Sequence, residues 1–308
     1  MRRAALRFAR SEHVRRVVLA TPASRELAGH YIAGEDLDST ISALDALHAR
    51  GLVLSVEQLR AEPSEASDAE LAANEYLALV TALQDAGLAS GTEISLRLPL
   101  LGQRLGRDGE LLALDLARRV CTAAGDAGCR VTLDMPDHAW VDSTLWVLGQ
   151  LRSDFPDTGI TLQAMLRRTA SDCLDLATPG SRVRLCKGTY REPEEVAYRR
   201  QHDVDLNFVR CLRLLMRSAC YPMIATHDPR MIEITAELAR RTDRRADSFE
   251  YQMLYGVRPL EQRRLVDVGE TVRVYVPYGP EWYRYYIGRL AERPANVTFF
   301  LRALLRRR

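Results

Sequence analysis

The chain has 308 residues, 47% hydrophobic and 27% charged, which is typical of a soluble globular protein and suits one large α/β domain. Its formal net charge is only +2, with both signs interspersed, so the sequence offers no extended basic face for nucleic acid. No apolar run approaches the ~20 residues that a membrane-spanning helix requires, and we therefore expect a cytoplasmic protein.

The first 50 residues are predicted to form an N-terminal helical arm, because apolar residues such as Val14, Val17 and Val18 recur at helical spacing. Beyond Gly51, short strand-like runs alternate with amphipathic stretches. The predicted strands are Leu52–Val56, Glu93–Leu98, Arg130–Leu133, Ile160–Gln163, Arg182–Cys186, Pro222–Ala225, Ser248–Tyr251 and Thr271–Val276. The predicted helices between them include Asp68–Ala86, Leu111–Ala127, Pro193–Met216 and Arg230–Arg240.

This regular alternation of strands and helices predicts an α/β fold, a (β/α)8 TIM barrel that follows the N-terminal helices. We expect one domain over residues 1–308. An open, doubly wound sheet is the alternative, but no G-x-G-x-x-G follows the first strand. The one glycine-rich stretch, from Gly102 to Gly109, lacks that spacing.

The six cysteines include no C-x-x-C pair and no pairing with histidines at metal-ligand spacing. We therefore expect reduced thiols and no metal site. The basic residues are unusual in composition, because Lys187 is the only lysine in the chain and all the others are arginines. A compact, rotatable ammonium can do what the planar guanidinium of arginine cannot, so we expect Lys187 to have a required role.

Polar residues concentrate where the predicted strands end, which is where TIM barrels carry their chemistry. These strand-end residues are Arg97, Asp134, Gln163, Arg184 with Lys187, Thr226 with His227, Glu250 with Gln252, and Tyr275. The sequence contains no G-x-S-x-G and no H-E-x-x-H motif. A site rich in Arg, Gln, Thr and Tyr indicates that a bound cofactor does the chemistry while the protein holds and tunes it.

Four segments carry a resemblance to a known family. Val183–Tyr190 (V-R-L-C-K-G-T-Y) resembles the R-L-V-K-G-A-Y of proline dehydrogenases, and Ile224–Asp228 (I-A-T-H-D) resembles their I-A-T-H-N. Phe249–Gly256 (F-E-Y-Q-M-L-Y-G) is similar to their E-F-Q-M-L-x-G. Val272–Gly279, followed by Trp282 and the Leu290–Arg293 helix, resembles their eighth strand and substrate-capping helix, and the likeness runs from about Phe8 to the C-terminus.

The resemblance implies a monofunctional bacterial type of flavoenzyme that oxidises L-proline to 1-pyrroline-5-carboxylate. The resemblance also implies hydride transfer to flavin N5, transfer of electrons to a quinone, and peripheral contact with the inner membrane face. The residues implied to bind FAD are Gln163, Arg184, Cys186, Lys187, Gly188, Thr189, Tyr190, Thr226, His227, Gln252 and Glu292. Those implied to bind substrate are Arg97, Leu254, Tyr275, Tyr285 and Arg289, with Asp134, Arg184 and Tyr275 as the catalytic group.

The implied substrate clamp departs from the family in three places. Gly288 stands where the family has the first of two adjacent arginines, and Ala61 stands where it has the glutamate that pairs with that arginine. Arg97 replaces a lysine and keeps its charge. Either Arg97 and Arg289 share the proline carboxylate, or the enzyme oxidises a different, bulkier secondary amine.

Two readings from other classes stay open at this point. A lone strand-end lysine is also typical of a Schiff-base lyase, in which Lys187 would be the nucleophile. A catalytically silent barrel that binds a partner is the other.

Overall fold

The eight predicted strands form one closed parallel barrel in the computed structural model, which describes residues 29, 31–283 and 285. Each strand pairs with its successor, and β1 closes the barrel by pairing in parallel with β8. The strands are β1 Val53–Gln58, β2 Glu93–Leu96, β3 Arg130–Leu133, β4 Gly159–Gln163, β5 Arg182–Cys186, β6 Tyr221–Ala225, β7 Glu250–Leu254 and β8 Val272–Tyr278. The predicted (β/α)8 fold is confirmed.

Helices alternate with these strands throughout the described part of the chain. They are α1 Leu37–His48, α2 Ala66–Asp85, α3 Gly109–Ala127, α4 Val141–Arg152, α5 Thr169–Asp175, α6 Gln201–Arg217, α7 Pro229–Arg241 and α8 Pro259–Asp267. Helix α1 precedes β1 and belongs to the predicted N-terminal arm, most of which lies outside the described residues. Among the described helices, none combines the length and apolarity needed to cross a membrane.

Two predicted element boundaries are wrong by three residues or more. The helix predicted from Pro193 begins only at Gln201, because residues 196–198 pair with the backbone that follows β4. Arg167 donates its N–H to Val196 O at 2.9 Å, and Tyr198 donates to Met165 O at 2.8 Å. The seventh strand was predicted at Ser248–Tyr251, but Ser248 closes a 3-10 turn and the strand continues to Leu254. Glu250 therefore begins β7 and does not end it.

Alternate residues of the strands face opposite sides, as in any β-strand. One set is apolar and shares a single hydrophobic core with helix residues such as Leu79, Val120 and Phe208. This outward set includes Ile94, Leu96, Val131, Leu133, Ile160, Leu162, Val183, Leu185, Tyr251, Met253, Val272 and Val274. The other set is polar, and its hydrogen bonds cross the barrel from Arg184 on β5 to Ser55 on β1. The interior of this barrel is therefore a polar network.

Four charged side chains form a cluster near the N-terminal ends of the strands, which we call the floor cluster. They are Glu93, Arg182, Glu250 and Arg273. Arg273 donates from Nε to Glu250 Oε1 at 2.7 Å and from Nη2 to Glu250 Oε2 at 3.0 Å. Burial raises the pKa of Glu250, but Arg273 outweighs that effect and leaves the pKa below its usual value. Two cations thus balance two anions in a region that water does not reach.

Replacing Glu250 by Gln is expected to lower the free energy of unfolding by about 3–5 kcal/mol, because Arg273 would keep its buried charge without the carboxylate that binds it directly. Chemical denaturation followed by circular dichroism measures the change. The matched control is Glu237→Gln, which breaks an exposed bidentate pair with Arg240 and is expected to change stability by less than about 1 kcal/mol. Equal losses in both variants would contradict the prediction.

Candidate active site

A cavity of about 1010 Å³ opens at the C-terminal ends of the strands. All eight strands, or the residues directly after them, contribute to its lining. Backbone geometry places these side chains together, because parallel strands of a barrel end at one rim. The strand-end residues singled out in the sequence therefore meet around one space.

Most of the predicted site residues line this cavity. They are Arg97, Asp134, Gln163, Arg184, Cys186, Lys187, Gly188, Thr189, Tyr190, Thr226, His227, Gln252, Leu254, Tyr275 and Tyr285. Arg289 and Glu292, together with Gly288, lie outside the described residues. Glu250, which the sequence placed at a strand end, belongs to the floor cluster and lies at the opposite end of β7.

Asp134, Arg184 and Tyr275 are joined by short hydrogen bonds on one wall of the cavity. Arg184 donates from Nη1 to Asp134 Oδ1 at 2.7 Å, and Tyr275 donates its hydroxyl to Asp134 Oδ2 at 2.6 Å. Ser95 and Thr161 also donate to this carboxylate, at 2.8 and 3.0 Å. Burial and then the Asp134 charge raise the pKa of Tyr275 well above its usual value. Tyr275 is therefore a neutral donor, and Arg184 is a fixed cation.

The second terminal nitrogen of Arg184 contacts residues that the sequence reasoning missed. Nη2 donates to Glu93 Oε1 and, at 3.1 Å, to Ser55 Oγ. The signal was present in the alternation of β2, where polar Glu93 and Ser95 flank apolar Ile94 on the opposite face. Reading that alternation as polar inside and apolar outside would have placed Glu93 within the barrel.

Two buried amide oxygens in the cavity lining have no hydrogen-bond partner within the described structure. They are Oε1 of Gln163 and Oε1 of Gln252. The amide nitrogen of Gln163 donates at 3.1 Å to the carbonyls of Met135 and Pro136, which fixes the orientation of its oxygen. Buried acceptors without a partner are uncommon in folded proteins, so both oxygens indicate a ligand with N–H or O–H donors.

The backbone after β5 approaches the cavity closely. Gly188 has φ of +95°, and a Cβ at this position would lie 2.6 Å from the Met165 sulfur. Only glycine fits both the left-handed conformation and the available space. The peptide between Lys187 and Thr189 can therefore border a ligand directly.

Lys187 is held between two carboxylates. Its Nζ donates to Asp205 Oδ1 at 2.6 Å and to Asp228 Oδ2 at 2.8 Å. Arg230 completes the cluster with contacts of 2.9 Å to both aspartates. Hydrogen bonds from Arg230 and then Lys187 hold the pKa of Asp228 far below its usual value. Asp228 also caps α7, because its side chain accepts from the Arg230 N–H.

Ion pairs connect the loops at the rim of the cavity. Arg104 donates to both oxygens of Glu62 at 3.0 Å and to Asp137 Oδ2 at 2.6 Å. Arg97 lies below them, with its Nη1 3.8 Å from Glu57 Oε1. The loops that follow β1, β2 and β3 are thereby connected over one side of the cavity.

Replacing Lys187 by Met is expected to lower the free energy of unfolding by about 1–3 kcal/mol, because two carboxylates would then share Arg230 alone. Lys187→Arg is the matched control. It keeps the charge, but its guanidinium is larger and less rotatable than the compact ammonium between the two aspartates, so we expect it to recover only part of the loss. Urea denaturation of the three proteins measures this, and a Lys187→Met protein as stable as the parent would contradict it.

Comparisons with known proteins agree with this geometry. Proline dehydrogenase 2 of Bacillus subtilis is 35% identical over 284 residues, which covers 92% of both chains. A proline dehydrogenase of Deinococcus radiodurans is 36% identical and covers 91% of this chain and 90% of its own.

Among solved structures, proline utilization A from Bdellovibrio bacteriovorus matches with a TM-score of 0.80 at 24% identity, over 87% of this chain. A variant of proline utilization A from Bradyrhizobium japonicum matches with a TM-score of 0.73 at 22% identity. The chain corresponds to only 32% and 31% of those two longer proteins, so these matches support the fold. The family model described as proline dehydrogenase matches residues 40–302. With that match and two relatives above 30% identity, the chain belongs to the proline dehydrogenase family.

Proposed function

We propose that this chain is an FAD-dependent dehydrogenase that oxidises L-proline to 1-pyrroline-5-carboxylate. The observation that carries the proposal is a buried arginine, Arg184, held by Asp134 in a cavity whose two glutamine oxygens lack partners. The relatives named above as proline dehydrogenases support the same reaction.

The described residues fit a flavin. The oxygens of Gln163 and Gln252 suit the N–H and O–H donors of a flavin ring and its ribityl chain, and Gly188 lets the backbone approach it. The other residues that would hold the cofactor are Arg184, Cys186, Lys187, Thr189, Tyr190, Thr226 and His227, with Glu292 outside the described residues. Bound FAD supplies an acceptor for hydride at N5.

Arg184 supplies a fixed positive charge where negative charge develops during the reaction. A preorganised cation in a site that excludes water stabilises such charge strongly, because no solvent has to reorient. Asp134 holds Arg184 and Tyr275 together, so the cation and the neutral hydroxyl keep their positions before substrate arrives. Proline loses a hydride from the carbon beside its nitrogen and a proton from the nitrogen.

We assign Arg97, which lines the cavity, to the substrate carboxylate, and Leu254, Tyr275 and Tyr285 would enclose the ring. Arg289, the second implied cation, lies outside the described residues. Ala61 lines the cavity as an exposed methyl group, which leaves room beside the carboxylate. A larger secondary amine is therefore the second candidate substrate.

The lyase reading is not supported, because a Schiff base requires an uncharged lysine nitrogen. Lys187 Nζ is instead held in ion pairs with two carboxylates, at 2.6 and 2.8 Å. A quinone acceptor and peripheral contact with a membrane are supported by the family resemblance alone and form part of this proposal.

We expect the purified protein to be yellow, to release FAD on denaturation, and to lose its flavin absorbance when L-proline is added without oxygen. A panel of cyclic secondary amines, with and without a carboxylate, tests the substrate class in the same assay. Faster bleaching by a larger amine would favour the second candidate. A flavin that no amine reduces would refute the dehydrogenase proposal while leaving the fold untouched.

Replacing Arg97 by Met is expected to raise KM for proline roughly 10- to 100-fold with little change in kcat, because a lost charge-assisted contact weakens ground state and transition state alike. Steady-state kinetics with an artificial electron acceptor measures both constants. Arg97→Lys keeps the charge and serves as the control, with a KM near that of the parent. An unchanged KM in Arg97→Met would show that Arg97 does not bind the carboxylate.

A further inference from the structure

We propose that Glu93 is a positioning residue for the flavin, which acts through Arg184 by fixing its guanidinium and setting the charge presented to the cofactor. This inference rests on the proposed function. Glu93 is the first residue of β2 and has no solvent exposure, so it does not touch the substrate itself.

Both oxygens of Glu93 are used inside the barrel. Oε1 accepts from Arg184 Nη2 and from Ser55 Oγ, the latter at 2.8 Å. Oε2 accepts from Thr132 Oγ1 at 2.5 Å and lies 3.6 Å from Arg182 Nη2. The carboxylate is therefore locked by three strands, and it presents one oxygen to Arg184.

The guanidinium of Arg184 is divided between two carboxylates. Asp134 binds Nη1, Glu93 binds Nη2, and Nε has no hydrogen-bond partner within the described structure although it is buried. Because two separate anchors fix a planar group, its rotation about the side-chain axis is suppressed. The cavity side of the guanidinium thus keeps one orientation toward whatever binds there.

Glu93 also determines the net charge around Arg184. Burial raises the pKa of Glu93, but Arg184, Arg273 and Arg182 outweigh it and bring the pKa to about 2, so the group is an anion at neutral pH. With Glu93 and Asp134 both present, Arg184 lies between two anions. Charges act over longer distances in a buried region than in water, so the loss of one anion would be felt in the cavity.

Within the floor cluster, Arg182 pairs with Glu93, but Arg273 does not depend on Glu93 for its hydrogen bonds. Arg273 is satisfied by both oxygens of Glu250 and by the carbonyls of Leu54 and Gly91, at 2.5 and 2.9 Å. Arg184, in contrast, loses the carboxylate that accepts from its Nη2 if Glu93 is neutralised. Glu93 thus connects the floor cluster to Arg184 in the cavity wall.

The test compares Glu93→Gln with Asp172→Asn in the flavin-loaded protein. Asp172 on α5 is also a buried carboxylate held by an arginine, Arg168, but it lies away from Arg184. Both variants are expected to lose stability. Only Glu93→Gln is expected to shift the two-electron midpoint potential of the bound flavin, toward positive values, because the reduced flavin gains negative charge beside a less neutralised cation.

We expect that shift to favour the reduced form at least tenfold, which is about 30 mV for a two-electron couple. KM for the amine is expected to stay within about twofold of the parent, since Glu93 does not border the substrate. Equilibration with a reference dye measures the potential. An unchanged or more negative potential in folded Glu93→Gln protein would overturn the inference.

If Glu93→Gln does not fold, Glu93→Asp is the test variant. It keeps the anion but withdraws it from Arg184 by one methylene group, so we expect a smaller positive shift of the midpoint potential. A potential equal to that of the parent would refute the positioning role of Glu93. A parent protein without reducible flavin would refute the proposed function instead. The failure of the Glu93 inference and the failure of the proposed function would therefore give different results.

Discussion

The arrangement of the whole barrel interior depends on Arg184, a guanidinium buried between Glu93 and Asp134. An unpaired cation in this position would be too costly to bury, so the surrounding strands must supply anions and hydroxyl groups at matching heights. Three arginines, Arg182, Arg184 and Arg273, are balanced by Glu93, Asp134 and Glu250. This charge balance lets a polar network occupy the place where many barrels have packed aliphatic side chains.

The same network connects stability with chemistry. Its lower part, around Glu250 and Arg273, holds the strands together and contacts the cavity lining through Gln252, whose amide nitrogen donates to Glu250 Oε1 at 2.6 Å. Its upper part, around Asp134 and Tyr275, borders the space proposed for flavin and substrate. Arg184 binds both Glu93 in the lower part and Asp134 in the upper part. A substitution in the floor cluster can therefore alter the electrostatics of the site without altering its shape.

Much of the site could be predicted from the sequence, because the residues come from strand ends and a closed barrel brings all strand ends to one rim. The failures have identifiable causes. Residues 193–200 were predicted to be helical, but residues 196–198 pair with the backbone after β4, a contact between segments distant in the chain. Glu250 was assigned to the wrong end of its strand, because a 3-10 turn before β7 moved the strand by several residues. Glu93 was missed, since its partner Arg184 lies 91 positions away.

The sequence by itself determined the alternation of strands and helices, the family motifs and the unusual status of Lys187, because each depends on local periodicity or on residue identity. It also showed that Ala61 and Gly288 differ from the residues that proline dehydrogenases have at these positions. Only the tertiary structure decided which charges pair. Lys187 forms ion pairs with Asp205 and Asp228, which follow β5 and β6 and come together only in the closed barrel. Ion pairing depends on distance in space. The closed barrel sets these distances, and they cannot be read from the spacing of residues along the chain.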